Sequence, residues 1–157
     1  MKVLFWLAVI GGLGYLFYQE IYTDYSRPME ITDPVYGQFR LNISFPDREL
    51  KWDFFVKYAS FDECRQRIGG NMPEMLEDCE ICEVTRSECK KELDSRQMAM
   101  FRNEPHFVTY LAGTAGNGTE RDGRLIIWGL SKAEAEIACR AMLKDVATHY
   151  SGKLECI

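Results

Sequence analysis

Tyr36-Gly-Gln-Phe-Arg-Leu-Asn-Ile-Ser-Phe45 is the stretch whose reading decides the fold. Phe39, Leu41, Ile43 and Phe45 fall on one side of a two-residue period, and Gln38, Arg40, Asn42 and Ser44 on the other. That is the signature of a half-buried β-strand. Pro46-Asp-Arg-Glu49 supplies turn chemistry, and Leu50–Ala59 returns as a second strand, so the two make a β-hairpin. Trp52 falls in that second strand and Trp128 in a later one, where packing against the sheet is the ordinary role of an indole.

Outward from the hairpin, three segments carry Ser/Thr-x-x-Glu, in which the hydroxyl takes the third amide and the glutamate reaches back to the cap amide. They are Ser60-Phe-Asp-Glu63, Thr85-Arg-Ser-Glu88 and Ser131-Lys-Ala-Glu134. The first predicts a helix over 61–68, stopped by Gly69-Gly70. The second predicts a helix from Arg86 to about Phe101, with Cys89, Leu93, Met100 and Phe101 inward and Glu83, Glu88 and Glu92 as a solvated acidic ridge. The third predicts a helix from Lys132 to about Tyr150, with Ile137, Ala138, Ala141, Met142 and Val146 on one face. A short helical piece is expected over 73–82, since proline is tolerated at a first helical position. Strands are expected over 106–112, 124–129 and 153–157. The order is then β-β-α, a helical cysteine-bearing insert over about 69–101, and β-β-α-β. It predicts an α+β, disulfide-stapled two-layer sandwich on a mostly antiparallel sheet.

Upstream of the hairpin, Val3–Tyr18 contains no charged residue. A membrane span needs about 20 mostly apolar residues, with roughly 17 as the lower limit. Continuation through Gln19 and Glu20 to Tyr22 makes residues 1–25 an N-terminal signal anchor, a single transmembrane helix. Residues 26–34 are a proline-punctuated linker, and residues 35–157 form one extracytoplasmic domain. Lys2 on one side, against Glu20 and Asp24 on the other, places the N-terminus in the cytoplasm. The competing reading is a cleaved leader with Gly12 and Gly14 before the cut, but it would leave an exposed Tyr-Leu-Phe-Tyr end. Ala8, Gly11, Gly12 and Tyr15 lie on a small-residue seam that would let a second helix approach closely. Glycine and alanine are also simply common in membrane helices.

The anchor decides how the six cysteines read. In an exported domain the compartment is oxidising, and six cysteines form a disulfide framework with fifteen conceivable connectivities. We expect Cys139 with Cys156, tying the last helix to the last strand, Cys64 with Cys89 across two helices, and Cys79 with Cys82 as a tight local pair. Cys79-Glu-Ile-Cys82 is also the spacing of thiol–disulfide enzymes, which set it at a helix N-terminus after a strand to lower the first thiol's pKa. Here Glu74, Glu77, Asp78 and Glu83 flank it, and negative charge acts in the opposite direction. Zinc bound by Cys64, Cys79, Cys82 and Cys89 fits no familiar pair-and-pair spacing. No metal site or cofactor is expected.

The other signals are weak. Gly113-Thr-Ala-Gly-Asn-Gly-Thr119 lacks the lysine of a phosphate loop and sits between two strands, so it reads as a mobile hairpin tip. Asn117-Gly-Thr119 is a glycosylation acceptor, of consequence only in a eukaryotic secretory pathway. His106 opens a strand and His149 ends a helix, where a cation is favoured, and neither belongs to a catalytic pattern. With 19 basic and 24 acidic residues, the chain offers no cationic field for nucleic acid. The expectation is a non-catalytic accessory or interaction subunit, anchored in a bacterial inner membrane with its domain in the periplasm. Its partners would be proteins, met through the anchor and the domain; the 69–101 insert and the 113–123 loop are the expected contact segments. The alternatives are a periplasmic immunity or inhibitor protein and a thiol–disulfide oxidoreductase using Cys79 and Cys82.

Overall fold

The structure is a computed structural model that describes residues 30–71, 76, 78–117 and 120–157. The anchor, with Ala8, Gly11, Gly12 and Tyr15, lies outside the described residues, as do parts of the 73–82 segment and of the Asn117–Thr119 acceptor. Among the described residues no helix is long and apolar enough to cross a membrane.

Six antiparallel strands, β1 (Val35–Ser44), β2 (Glu49–Tyr58), β3 (Cys82–Lys90), β4 (Tyr110–Gly113), β5 (Gly123–Trp128) and β6 (Leu154–Cys156), form one sheet in the order β3-β1-β2-β5-β4-β6. The hairpin is β1 (Val35–Ser44) and β2 (Glu49–Tyr58), paired from Val35↔Tyr58 to Ser44↔Glu49. Phe45 N donates to Arg48 O (2.9 Å), closing the turn at Pro46-Asp47. The register puts Val35, Gly37, Phe39 and Leu41 on one face with Tyr58, Val56, Phe54 and Trp52. On that face they meet α1 (Phe61–Cys64), capped by Ser60 and continued as a π-helical stretch, Arg65–Asn71. The expected stop at Gly69-Gly70 is overridden, because the π-helical stretch runs through both glycines. Gly37 makes this packing possible: a Cβ there would stand 2.7 Å from Ile68 Cγ1 and 2.7 Å from Tyr58 Cε2.

The main departure from the sequence expectation lies in the insert. Cys82–Lys90 is not helical; it is β3, an edge strand on the open side of β1, from Ile43↔Cys82 to Tyr36↔Lys90 with a bulge at Arg40/Leu41. Thr85 and Glu88 match the capping signature, but β1 offers a row of unpaired backbone groups that a strand satisfies and a helix does not. Glu83 and Glu88 therefore lie on a strand rather than a helix ridge. Hydrogen bonding to Lys90 is the first cause holding the Glu88 carboxyl below its ordinary pKa. Helix α2 is only Ser95–Phe101, capped by Asp94, whose carboxylate accepts Gln97 N while Gln97 reaches back to Asp94 N. Of the piece expected over 73–82, the described residues before Cys82 are turns and irregular chain.

The second half runs β4 (Tyr110–Gly113), β5 (Gly123–Trp128), α3 (Lys132–Val146), β6 (Leu154–Cys156). Gly129, at φ +91° with its Cβ position 2.7 Å from Glu49 O, turns β5 into the Ser131 cap of α3. Helix α3 lies on the same face as α1, with Ala135, Ala138, Cys139 and Met142 against Leu111, Leu125 and Ile127. Ile137 (68 % exposed) and Ala141 point to solvent, contrary to the expected face, and the helix ends four residues early. Helix α2 covers the other face, where Met100 packs with Phe55, Tyr110, Ala112 and Ile126. The layering is therefore a sheet with helices on both sides, where a two-layer sandwich was expected. Gln38, assigned by the alternation to the open face, is fully buried there, its side chain accepting from Lys90 Nζ at 3.2 Å.

The described residues of the glycine-rich loop are pinned rather than free. The Glu120 carboxylate accepts from Ser151 N, Ser151 Oγ and Gly152 N, Asn117 N donates to Ser151 Oγ, and the Tyr150 hydroxyl donates to Thr114 O and Arg121 O. Arg121 in turn reaches Glu63 of α1 at 2.9 Å.

Candidate functional site

The six cysteines are joined as Cys64–Cys89, Cys79–Cys82 and Cys139–Cys156, so no thiol is free. Cys64–Cys89 ties α1 to the edge strand β3, a helix-to-strand link rather than a link between two helices. Cys139–Cys156 ties α3 to β6. Cys79–Cys82 closes a turn in which Cys82 N donates to Cys79 O (3.1 Å) and Cys79 N to Leu76 O (2.9 Å). It opens a strand, with Asp78, Glu80 and Glu83 beside it. Among the described residues it sits at a turn rather than at a helix N-terminus, and the neighbouring carboxylates disfavour a thiolate. The four cysteines weighed as a zinc set are thus two separate bridges, and no group of three or more His, Cys, Asp or Glu side chains converges on a metal position among the described residues.

The cleft that the structure does build comes from residues distant in sequence. After α2 the chain turns at Asn103 (φ 57°), whose amide oxygen accepts from Arg124 Nη2 at 2.7 Å. Arg124 is itself buried, donating to Met100 O and Gly113 O and stacking on Phe101 at 4.8 Å. Burial pulls its pKa down from the ordinary guanidinium value. The Tyr110 hydroxyl donates back to Glu104 O (2.8 Å), which folds residues 104–109 into a loop. The expected strand over 106–112 therefore starts only at Tyr110, and the β4–β5 ladder begins at Tyr110↔Ile126. Residues 106–109 are left as a lip beside the end of β5.

The lip is aromatic. Phe107 stands 73 % exposed, with its ring 4.3 Å from His106 and 5.9 Å from Trp128. On one side of it lies a cleft of about 680 Å³, floored by Ile127, Leu130, Ala135 and Ile157 and edged by Lys132 and Arg140. On the other side a hollow of about 180 Å³ is lined by Phe55, Met100 and Ile126, with Arg40 and Arg96 at its edge. His106, Phe107 and Trp128 border both spaces. The buried Nδ1 of His106 has no hydrogen-bond partner among the described residues.

Asp53 anchors this wall from beneath. Its carboxylate, 2 % exposed, takes Arg40 Nε at 2.7 Å, Arg40 Nη2 at 2.8 Å and Trp128 Nε1 at 2.8 Å. That hydrogen bonding raises the Arg40 pKa further. With both oxygens engaged, Asp53 orients the Trp128 ring instead of serving as a base toward the cleft. The arrangement offers an aromatic surface with edges of both charges, Lys132, Glu136 and Arg140 at the cleft and Arg40, Arg96 and Asp94 at the hollow.

The sequence marked His106, Trp128 and the Ser131 cap one by one, but nothing local showed that the first two meet at Phe107. His149, at the far end of α3, takes no part. No family model matches the chain, and no curated protein or solved structure matches it. The fold and site define an α+β domain with a six-stranded antiparallel sheet, three disulfides and one aromatic-lipped cleft.

Proposed function

We infer that the protein is a non-catalytic interaction subunit, held in a bacterial inner membrane by residues 1–25 with its domain in the periplasm. The observation that carries this reading is the pairing of all six cysteines, which suits an oxidising compartment. The uncharged run Val3–Tyr18 supplies the means of tethering, and Ala8, Gly11, Gly12 and Tyr15 supply a face on which a second membrane helix would pack. The setting of Cys79–Cys82 among carboxylates, at a turn, favours a structural bridge over a redox pair. The Phe107 lip gives the domain a surface of the kind that buries aromatic anchors at protein interfaces.

Isolation of the protein from gently solubilised membranes tests the reading. A multi-subunit membrane assembly that persists with the anchor, and falls apart on Gly11→Leu or Gly12→Leu, is the expected result. Recovery as a soluble one-to-one complex with a single exported protein would instead favour an immunity or inhibitor role.

A further inference from the structure

We propose that β3 is a self-pairing edge: two copies of the domain join their sheets by antiparallel pairing of β3 with β3, about a two-fold axis at Ser87. The inference goes beyond the interaction-subunit reading and does not depend on it. Of the two edges of the sheet, β6 is three residues long and β3 is nine, with residues 83–87 exposed. Disulfides hold β3 at both ends. Cys82 is bonded to Cys79 in the turn that enters the strand, and Cys89 to Cys64 of α1. An edge fixed in this way loses little freedom when another strand adds to it.

Successive residues of a strand turn their N–H and C=O groups to opposite edges. Ser44 N donates to Ile81 O (2.9 Å), so in the β1–β3 register Glu83, Arg86, Glu88 and Lys90 turn theirs toward β1. Val84, Ser87 and Cys89 turn theirs outward, where no strand among the described residues takes them. About an axis at Ser87, that residue exchanges both backbone hydrogen bonds with its symmetry mate. Val84, 40 % exposed, then faces Cys89 of the second copy.

The side chains select a second copy as the occupant. Glu83, Arg86, Glu88 and Lys90 share one face, opposite Asn42, Arg40, Gln38 and Tyr36, and their signs alternate along it, the bulge taking up Thr85. Reversed about Ser87, the series is its own complement. Arg86 meets Glu88 of the second copy, Glu83 meets Lys90 of the second copy, and the axis repeats both pairs. An axis on Arg86 or on Glu88 would set like charges opposite each other, so the charges that deter indiscriminate pairing admit this register. Within one chain Glu88 already meets Arg86 (3.3 Å) and Lys90 (2.8 Å). Glu83 has no ion pair among the described residues, and the second copy supplies one. A rise of about 3.3 Å per residue and a strand spacing of about 4.8 Å put the two Val35 residues about 30 Å apart. The segment 26–34 reaches about 30 Å from each, so both anchors of the reading above fit one bilayer.

The test is photo-cross-linking in intact membranes with the full chain carrying p-benzoylphenylalanine at position 84, or at position 137 on the solvent side of α3 as the control. The expected result is an adduct of twice the chain mass from position 84, mapped beside Cys89 of the second copy, and none from 137. Arg86→Glu turns two opposite-charge pairs into like-charge pairs and should cut the yield about tenfold or more. Adding Glu88→Arg to it should restore most of the yield. Ser87→Pro removes an outward N–H, leaves the β1 ladder intact and should abolish the adduct. Bridge mapping and circular dichroism check the fold of each variant. Hydrogen–deuterium exchange of the unmodified full chain in detergent gives a reading free of the probe: exchange at Ser87 and Cys89 should slow as protein concentration rises. A chain that stays monomeric by both measurements overturns the proposal. So does a second-copy adduct indifferent to Arg86→Glu and Ser87→Pro, or one formed equally from 137. An adduct with a different protein alone also overturns it, and leaves the interaction-subunit reading standing.

Discussion

Replacing Arg40 by leucine tests the network under the aromatic wall. The substitution keeps the strand position and much of the side-chain volume but strips the Asp53 carboxylate of two of its three donors. Breaking a buried ion pair from one side costs roughly 3–5 kcal/mol, because the remaining charge stays desolvated. Asp53 is 2 % exposed but Arg40 is 33 % exposed, so water reaches the pair from the arginine side and the lower figure of about 3 kcal/mol applies. Arg40→Leu/Asp53→Leu removes both charges and leaves only Trp128 Nε1 unsatisfied, a cost of about 1–3 kcal/mol. The double variant should therefore be no less stable than Arg40→Leu alone. Urea unfolding followed by far-ultraviolet circular dichroism, with the bridges intact, reads this out. At an m-value of about 1–3 kcal/mol/M the single change should lower the midpoint by about 1–3 M. A loss below about 1 kcal/mol in Arg40→Leu, or additive losses in the double variant, would refute the reasoning.

Three further outcomes follow from the packing. Gly37→Ala should destabilise the domain by about 1–3 kcal/mol in the same assay, since its Cβ would press on Ile68, Tyr58 and the Cys64 sulfur under α1. Removing Cys139–Cys156, whose partners are 17 residues apart, should cost about 3 kcal/mol. Removing Cys79–Cys82, only 3 apart, should cost about 2 kcal/mol, so paired serine variants should rank in that order. Burial, the main cause, pushes the Tyr58 phenol up to about 12 from 10.0. The unfolded chain therefore releases this proton first as pH rises, so its contribution to stability is whole below pH 10 and is lost between about 10 and 12. Tyr58→Phe should flatten the alkaline limb of a melting-temperature profile over that window; an unchanged limb would count against the burial argument.

Where the signal is local, the sequence spoke clearly. The β1–β2 hairpin, read from its period and turn although the first half of β1 is covered on both faces, and the Ser60 and Ser131 caps are examples. The link from α3 to β6 was legible for a similar reason: a last strand folding back along the last helix brings Cys139 to Cys156. Edge strand β3 was not legible. Glu83, Arg86, Glu88 and Lys90 are charges that blunt an edge, so no hydrophobic period marks the strand, and Thr85-Arg-Ser-Glu88 imitates a cap. What fixes it is the unpaired side of β1, a tertiary fact. The true cap of α2 could have been found, since Asp94-Ser-Arg-Gln97 satisfies the same reciprocal pattern with different residue types. Both-sided burial of Gln38 and the cleft around Phe107 depend on α2 and on the 104–109 loop crossing from one element to another. Those contacts join residues dozens of positions apart, and no local window contains them.

Mass spectrometry of protein taken from unreduced membranes, with thiols trapped by alkylation, asks at once whether the domain is anchored and whether its cysteines are structural. The expected result is an intact N-terminal segment and three fully formed bridges, Cys64–Cys89, Cys79–Cys82 and Cys139–Cys156. Alkylated Cys79 or Cys82, a mixed disulfide at either, or a chain that begins after Gly14 would contradict it.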